Sequence, residues 1–237
     1  MVLKKDITNI FELILKKYEN TYKCTPDYET FNYTTVKGEP VSIEVEKMTK
    51  RPDFQKAVAK VVDDYIKKGF ENKIWRVDVP DLDWIKDAQL YRTKNGSTLA
   101  IRPDGDIVAV AGKLGDDGYP LDNSEALLAY AVSKGGNKLD SFDGNWRFYR
   151  KCGFIPRTYL DFDKDFAPDG WKEGRDLEEK VIFMEYANDK KYLDGNDVIK
   201  EMSDFYDKNN PITEKDMVEG DEYPWDAGYR IRDEMME

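Results

Sequence analysis

Two short apolar strands separated by a helix are the feature that most restricts how this chain folds. Residues 106–111 are rich in β-branched side chains, which is typical of a buried strand. Residues 122–133 carry apolar side chains at helical spacing, and residues 138–143 form a second short strand. A helix that crosses between two strands predicts that the strands lie parallel and that the connection is right-handed.

Further strands and helices are predicted on both sides of this unit. Asn95-Gly96 is a strong signal for a tight hairpin between two of the strands. The segment after residue 206 is interrupted by proline and glycine, and no helix is predicted in it. The predicted flanking elements are a helix at 7–18, a hairpin spanning 28–45, a helix at 52–68, strands at 89–93, 98–102, 154–162 and 181–186, and helices at 146–152 and 197–206.

Together these elements define an α/β (α+β) fold. Its sheet is mixed and mostly antiparallel, with a central parallel βαβ unit and flanking helices. We expect the core to span residues 89–193, with N-terminal helices and a hairpin at 1–88 that pack on the core or precede it. Residues 194–237 form an acidic C-terminal extension.

The absence of histidine limits the chemistry of the chain. None of the 237 residues is a histidine, which excludes Ser-His-Asp and Cys-His catalysis and histidine-ligated zinc. Any proton transfer would need Asp, Glu, Tyr, Lys, Cys or water. The formal net charge of −11 repels phosphates, so no nucleic-acid partner is expected.

The composition also bears on location. No apolar run approaches the roughly 20 residues of a membrane-spanning helix, and residues 1–9 lack the apolar core of a signal peptide. Two cysteines are too few for a disulfide framework. The expectation is a protein of the cytoplasm without a membrane partner.

One run of residues resembles a known family. Tyr149, Lys151 and the pair Gly153-Phe154 close the helix at 146–152. This order of elements and this closing run are similar to the GNAT (GCN5-related N-acetyltransferase) superfamily, over about residues 89–186. The block at 138–149, with the run 167–171 and Arg175, looks like GNAT-like proteins encoded in phages and prophages. The resemblance implies a GNAT-like fold, in the host cytoplasm or in a virion.

The resemblance to this family implies an activity and a cofactor. The resemblance implies acyl transfer from acetyl-CoA, or another acyl-CoA, to an amine. The strands at 106–111 and 138–143 would splay to admit the pantetheine arm. Backbone amides before the helix at 122–133 would hold the pyrophosphate. The cofactor-binding residues implied in this way are Val110, Gly112, Lys113, Gly115, Gly118 and Asn145.

The presumed cofactor loop departs from the family pattern. The family has Gln/Arg-x-x-Gly-x-Gly/Ala, whereas the glycines here, Gly112, Gly115 and Gly118, fall three apart. Lys113 is the only nearby cation, and four carboxylates lie where a pyrophosphate would sit: Asp116, Asp117, Asp122 and Glu125. Carboxylates near a helix N-terminus ordinarily cap it. The loop therefore favours the alternative function, a non-catalytic interaction or virion-associated protein that reuses the fold.

Catalytic residues are assigned with a structural alternative beside each. Tyr149 matches the family position that protonates the departing thiolate, and it is equally consistent with an aromatic residue packed under the sheet. A general base would be Asp106, Asp140 or Asp143, each of which also suits a turn or a strand edge. Asn145 would contact the cofactor or cap the helix that follows it.

Two further features are candidate sites. Cys152 follows two basic residues that would lower a thiol pKa, but a cysteine without histidine is weak evidence for a nucleophile. The acidic run at 161–165 fails the calcium-loop template, because Phe166 and Lys172 stand where glycine and glutamate are required. No metal site is therefore predicted.

The C-terminal extension at 194–237 is acidic but rich in aromatic residues. A disordered tail is usually poor in aromatic residues, so we expect part of it to pack on the body or on a protein partner. Phe205 and Trp225 are the expected anchors.

Overall fold

The computed structural model describes residues 26–77, 79–167, 171–218 and 223–237; the helix predicted at 7–18 lies outside them. The strands are β1 (Glu29–Thr34), β2 (Pro40–Met48), β3 (Gln89–Thr93), β4 (Thr98–Ile101), β5 (Ile107–Ala111), β6 (Lys138–Phe142), β7 (Phe154–Leu160) and β8 (Val181–Tyr186). The helices are α1 (Arg51–Lys67), α2 (Ser124–Ser133), α3 (Trp146–Cys152), α4 (Gly195–Lys208) and α5 (Pro224–Glu234). Short 3-10 turns connect several of these elements.

Within the described residues, the strands form two antiparallel sheets. One has the order β1-β2-β3-β4-β5, and the other has the order β6-β8-β7. The mixed α and β class predicted from the sequence is confirmed. The prediction of one mixed sheet is wrong, because β5 and β6 belong to separate sheets. The parallel pairing predicted for these two strands is limited to one bridge, between Asp106 and Lys138.

Helices cover both faces of the larger sheet. The apolar face of α1, which includes Phe54 and Val61, packs with Leu90, Ala100 and Val108 on one side. Helix α2 packs on the other side, where alternate residues of the same strands point. The residues buried with α2 on that side include Ile43, Tyr91, Leu99, Ile101 and Ile107. The hairpin β1-β2 is part of this sheet, because β2 pairs with β3.

The C-terminal residues pack on the body. Helix α4 places Phe205 against the rings of Trp146 and Tyr159, with ring centroids 5.4 and 5.8 Å apart. Helix α5 packs on the smaller sheet and buries Gly228 against Phe183. No helix was predicted for this last segment, and that prediction is wrong. Among the described residues, no helix is long and apolar enough to span a bilayer.

Candidate functional site

A cavity of about 500 Å³ lies between β5 and β6, and we call it the interstrand cleft. The two strands meet at the Asp106–Lys138 bridge and line opposite parts of the wall. Helix α3 and the C-terminal residues 223–229 complete the wall. The lining residues are Arg76, Trp84, Ile107, Val108, Ala109, Val110, Asp140, Ser141, Phe142, Asn145, Tyr149, Ala167, Tyr223, Trp225, Asp226 and Tyr229.

A bulge in β5 shapes one side of the cleft. The pairing register between β4 and β5 shifts between Thr98 and Ala100, and Ala109 has a φ of 50°. A non-glycine residue with positive φ is uncommon and costs energy, so the surrounding structure must hold it in place. The Thr98 hydroxyl donates to the Ala109 carbonyl at 3.3 Å. A bulge at this point redirects the backbone beside the cleft.

Asp140 is the central carboxylate of the cleft. Its Oδ2 accepts a hydrogen bond from the Trp225 indole nitrogen at 3.3 Å, and its Oδ1 accepts one from the Tyr229 hydroxyl at 3.0 Å. Both donors come from α5, whereas Asp140 lies on β6. Helix α5 thus fixes the orientation of the carboxylate, and Asp140 fixes two aromatic side chains in the wall.

Three residues predicted from the resemblance line the cleft: Tyr149, Val110 and Asn145. Tyr149 is buried, and burial raises the pKa of its hydroxyl above the ordinary value, although a hydrogen bond with Ser141 acts in the opposite direction. Asn145 donates to the Ser141 hydroxyl at 3.2 Å and makes no side-chain cap on α3. The capping interpretation of Asn145 is therefore wrong.

Of the three carboxylates predicted as bases, Asp140 lines the cleft, whereas Asp106 and Asp143 do not. Asp106 is fully buried at the bridge, where Arg232 donates to it at 3.1 Å. Burial raises the pKa of Asp106 to about 7, while Arg232 acts in the opposite direction. Asp143 accepts from the Tyr206 hydroxyl at 3.1 Å, and burial raises its pKa. The geometry gives both a structural role, because their partners are side chains of α5 and α4.

The predicted cofactor loop, residues 112–121, forms a closed turn. The amide of Gly115 donates to the Tyr119 carbonyl at 2.7 Å, and the amide of Gly118 donates to the Gly115 carbonyl at 3.1 Å. The amide of Leu121 donates to the Lys113 carbonyl at 2.8 Å. None of the residues Gly112, Lys113, Gly115 and Gly118 lines the interstrand cleft.

Side chains around the loop are also engaged. The Lys113 ammonium pairs with Asp64. Asp122 accepts from the hydroxyls of Thr93 at 2.6 Å and Ser97 at 2.5 Å, and from the Asn95 amide at 3.0 Å. These bonds tie the end of the loop to the β3-β4 hairpin.

The N-terminus of α2, which follows the loop, is capped from within the chain. The Asn123 side chain accepts from the Ala126 amide at 3.0 Å. Glu125 is buried, pairs with Lys151 at 2.7 Å and accepts from the Val36 amide at 2.9 Å. A pyrophosphate needs free amide donors and positive charge at such a helix end. The residues present here do not fit the pyrophosphate of acyl-CoA.

The remaining sequence features offer no second site. Cys152 is buried, and burial raises the pKa of its thiol to about 12, so it is not a thiolate nucleophile at neutral pH. Over the described ranges, no group of three or more Cys, Asp or Glu side chains is arranged to hold a metal ion. Trp171, in the acidic segment, packs against Phe162 with ring centroids 5.0 Å apart.

Sequence reasoning missed most of the aromatic wall. Trp84, Tyr223 and Tyr229 were not assigned to any site, and Trp225 was expected only as an anchor. The only available signal was the unusual number of aromatic residues in an acidic C-terminal segment.

Comparisons with protein-family models, curated protein sequences and solved structures give no match to this chain. The site must therefore be interpreted from its own geometry.

Proposed function

We propose that this chain is a GNAT-like binding protein that takes a ligand in the interstrand cleft without using acyl-CoA. The fold assignment rests on the resemblance around Tyr149-Phe154 and is supported by the parallel bridge at which β5 and β6 begin to border the cleft. The observation that carries the functional proposal is the internal hydrogen bonding of the 112–121 loop. If the chain is phage-encoded, it would act in the host cytoplasm or in a virion.

The energetics of the loop oppose a bound pyrophosphate. Turning the amide of Gly115, Gly118 or Leu121 towards a phosphate would first break a hydrogen bond within the loop, which contributes about 1 kcal/mol. The carboxylates of Asp116 and Asp117 would then lie close to the negative charge of the pyrophosphate. The cations at the loop are already engaged: Lys113 pairs with Asp64, whose pKa is lowered mainly by that hydrogen bond. Lys68 donates to the Leu114 carbonyl at 2.7 Å and pairs with Asp116 at 3.3 Å. The new contacts of a bound pyrophosphate would first have to offset all of these free-energy costs.

Thermal unfolding with acetyl-CoA tests this proposal. We expect millimolar acetyl-CoA to leave the melting temperature of the full chain unchanged, because the loop offers no pyrophosphate site. A ligand present at 100 times its Kd would add about 2.7 kcal/mol of stability, which such a measurement detects readily. Titration calorimetry of the same sample is the independent check. Saturable binding of acetyl-CoA would overturn the proposal.

Acyl transfer to an amine is the second candidate function, favoured by one observation. Asp140 and Tyr149 both line the cleft, so a carboxylate base and a phenolic acid border the same space without histidine. If this function holds, Asp140→Asn and Tyr149→Phe should each lower turnover by about 10²–10⁴-fold. Asp143→Asn is the matched control, because Asp143 lies just past β6 but outside the cleft. Its turnover should stay close to that of the unaltered chain.

A further inference from the structure

We infer that the interstrand cleft binds a methylated, positively charged nitrogen, such as a trimethylammonium group. The inference rests on the proposed function, in that the cleft is taken to be the ligand site. It adds the chemical class of the ligand. Three properties of the wall carry it: the sign of its charge, its aromatic rings and its apolar side chains.

The charge of the cleft favours a cation. Among the charged residues that line it, Asp140 and Asp226 are acidic, and Arg76 is basic. The Arg76 guanidinium pairs with Glu179, a buried carboxylate next to the cleft, so its charge is compensated. The uncompensated charge at the wall is negative. The formal net charge of −11 adds a field that attracts cations to the protein.

The wall of the cleft is rich in aromatic rings, and two of them already carry a cation: the Arg232 guanidinium lies 5.2 Å from the Tyr229 ring centroid, and the Arg102 guanidinium lies 5.8 Å from that of Trp84. The indole nitrogen of Trp225 and the hydroxyl of Tyr229 are both bonded to Asp140, so the polar tips of these two rings are already used. Tyr223 stacks with Trp225 at 6.2 Å between ring centroids, with an interplanar angle of 16°. A cation over the face of Trp or Tyr is attracted by the ring quadrupole, and alkylated ammonium groups are recognised in this way.

The apolar part of the wall favours a methylated nitrogen over a primary ammonium. A primary ammonium has three N–H donors, each of which loses a water partner on entering a cleft. Each oxygen of Asp140 already accepts one bond and the Ser141 hydroxyl accepts from Asn145, so a primary ammonium would have to share the remaining acceptor sites of these groups or turn to Asp226. A trimethylammonium group needs no hydrogen bond. Its methyl groups match the apolar part of the wall formed by Ile107, Val108 and Val110.

Helix α5 completes this site, so the site requires the C-terminal residues. Arg232 is buried at the bridge and donates to Asp106, which holds α5 against the start of β5. Lys138, the first residue of β6, pairs with Asp233 at 2.6 Å. Both contacts lie at the point where the two strands meet. The same helix carries Trp225 and Tyr229 into the wall.

Ligand-observed NMR on the full chain tests the inference with three small probes that share a 2-hydroxyethyl group. Choline carries the trimethylammonium group, 3,3-dimethylbutan-1-ol is its uncharged isostere, and ethanolamine is a primary ammonium. We expect choline to bind about tenfold more tightly than either of the other two, which corresponds to about 1.4 kcal/mol. Equal binding of the uncharged isostere, tighter binding of ethanolamine, or no binding of choline would each overturn it.

Two variants locate the binding in the cleft. Asp140→Asn should abolish most of the preference for choline over its isostere, whereas Asp207→Asn, which removes an exposed carboxylate of α4, should leave that preference intact. Trp225→Leu should weaken the binding of choline more than the binding of its uncharged isostere. If the Asp140→Asn protein does not fold, Trp225→Leu takes its place in the test. Unchanged choline binding in the folded variants would overturn the inference. Acetyl-CoA binding would overturn the proposed function, whereas failure of choline alone would leave that proposal standing.

Discussion

Replacement of Asp106 by alanine is expected to lower the free energy of unfolding by about 3–5 kcal/mol. Arg232, the partner of Asp106, has a fully buried side chain. A guanidinium cannot release its proton in a protein, so it would remain charged in the interior. Burial opposes that charge, but Asp106 and Asp233 together raise the pKa of Arg232 above its ordinary value. Without Asp106, the less buried Asp233 is the remaining acidic partner of Arg232 among the described contacts.

Denaturant unfolding of three variants separates this effect from a general loss of charge. Asp104→Ala removes a carboxylate two residues away, whose side chain is 46% exposed and pairs with Lys138. Its expected cost is below about 1 kcal/mol, because Asp104 itself is largely solvated and Lys138 keeps Asp233 as a second partner. Asp106→Asn keeps an oxygen acceptor for Arg232 and should cost less than the alanine substitution. Equal stability of the Asp104→Ala and Asp106→Ala proteins would contradict the prediction.

The role of Asp106 shows where local sequence reasoning stops. The sequence correctly predicted β5, the helix that follows it and β6, because β-branched runs, helical spacing and glycine stops are local signals. Asp106 stands at the start of that strand and was therefore a reasonable catalytic base. Its actual partner, Arg232, is 126 residues further along the chain. No local pattern encodes that pairing.

The loop before α2 gives a second example. The sequence predicted that carboxylates near this helix end would serve as caps. The cap is instead Asn123, and Asp122 binds the hydroxyls of Thr93 and Ser97. Those hydroxyls come from the β3-β4 hairpin, so the closure of the loop depends on tertiary contacts. The glycine spacing alone could not reveal it.

The missed helix α5 has a more specific cause. Pro224 and Gly228 were read as interruptions, since both residues are poor in the interior of a helix. Pro224 occupies the first turn, where a missing amide hydrogen has no cost. Gly228 lies on the buried face, directly against the ring of Phe183. Tertiary packing therefore selects the residue that intrinsic helix propensity disfavours.

Substitution of Gly228 by alanine is accordingly expected to destabilise the protein by about 1–3 kcal/mol, the usual cost of overpacking. A Cβ atom at this position would overlap the ring atoms of Phe183, and that side chain is fully buried and has no room to move aside. Helix propensity alone would predict the opposite sign, a gain of up to about 1 kcal/mol. Thermal and denaturant unfolding give the sign directly. Loss of choline binding should accompany the destabilisation, because α5 carries Trp225 and Tyr229.

Gly195→Ala is the matched control for this last prediction. Gly195 is the first residue of α4, it is exposed, and no atom lies within 4 Å of the position that a Cβ would take. The same substitution there should leave stability unchanged or raise it by about 0.4–1 kcal/mol, because alanine restricts the unfolded chain more than glycine does. Opposite signs for the two glycines would attribute the loss at Gly228 to its contact with Phe183. A Gly228→Ala protein as stable as Gly195→Ala would mean that α5 does not pack on β8 through this contact.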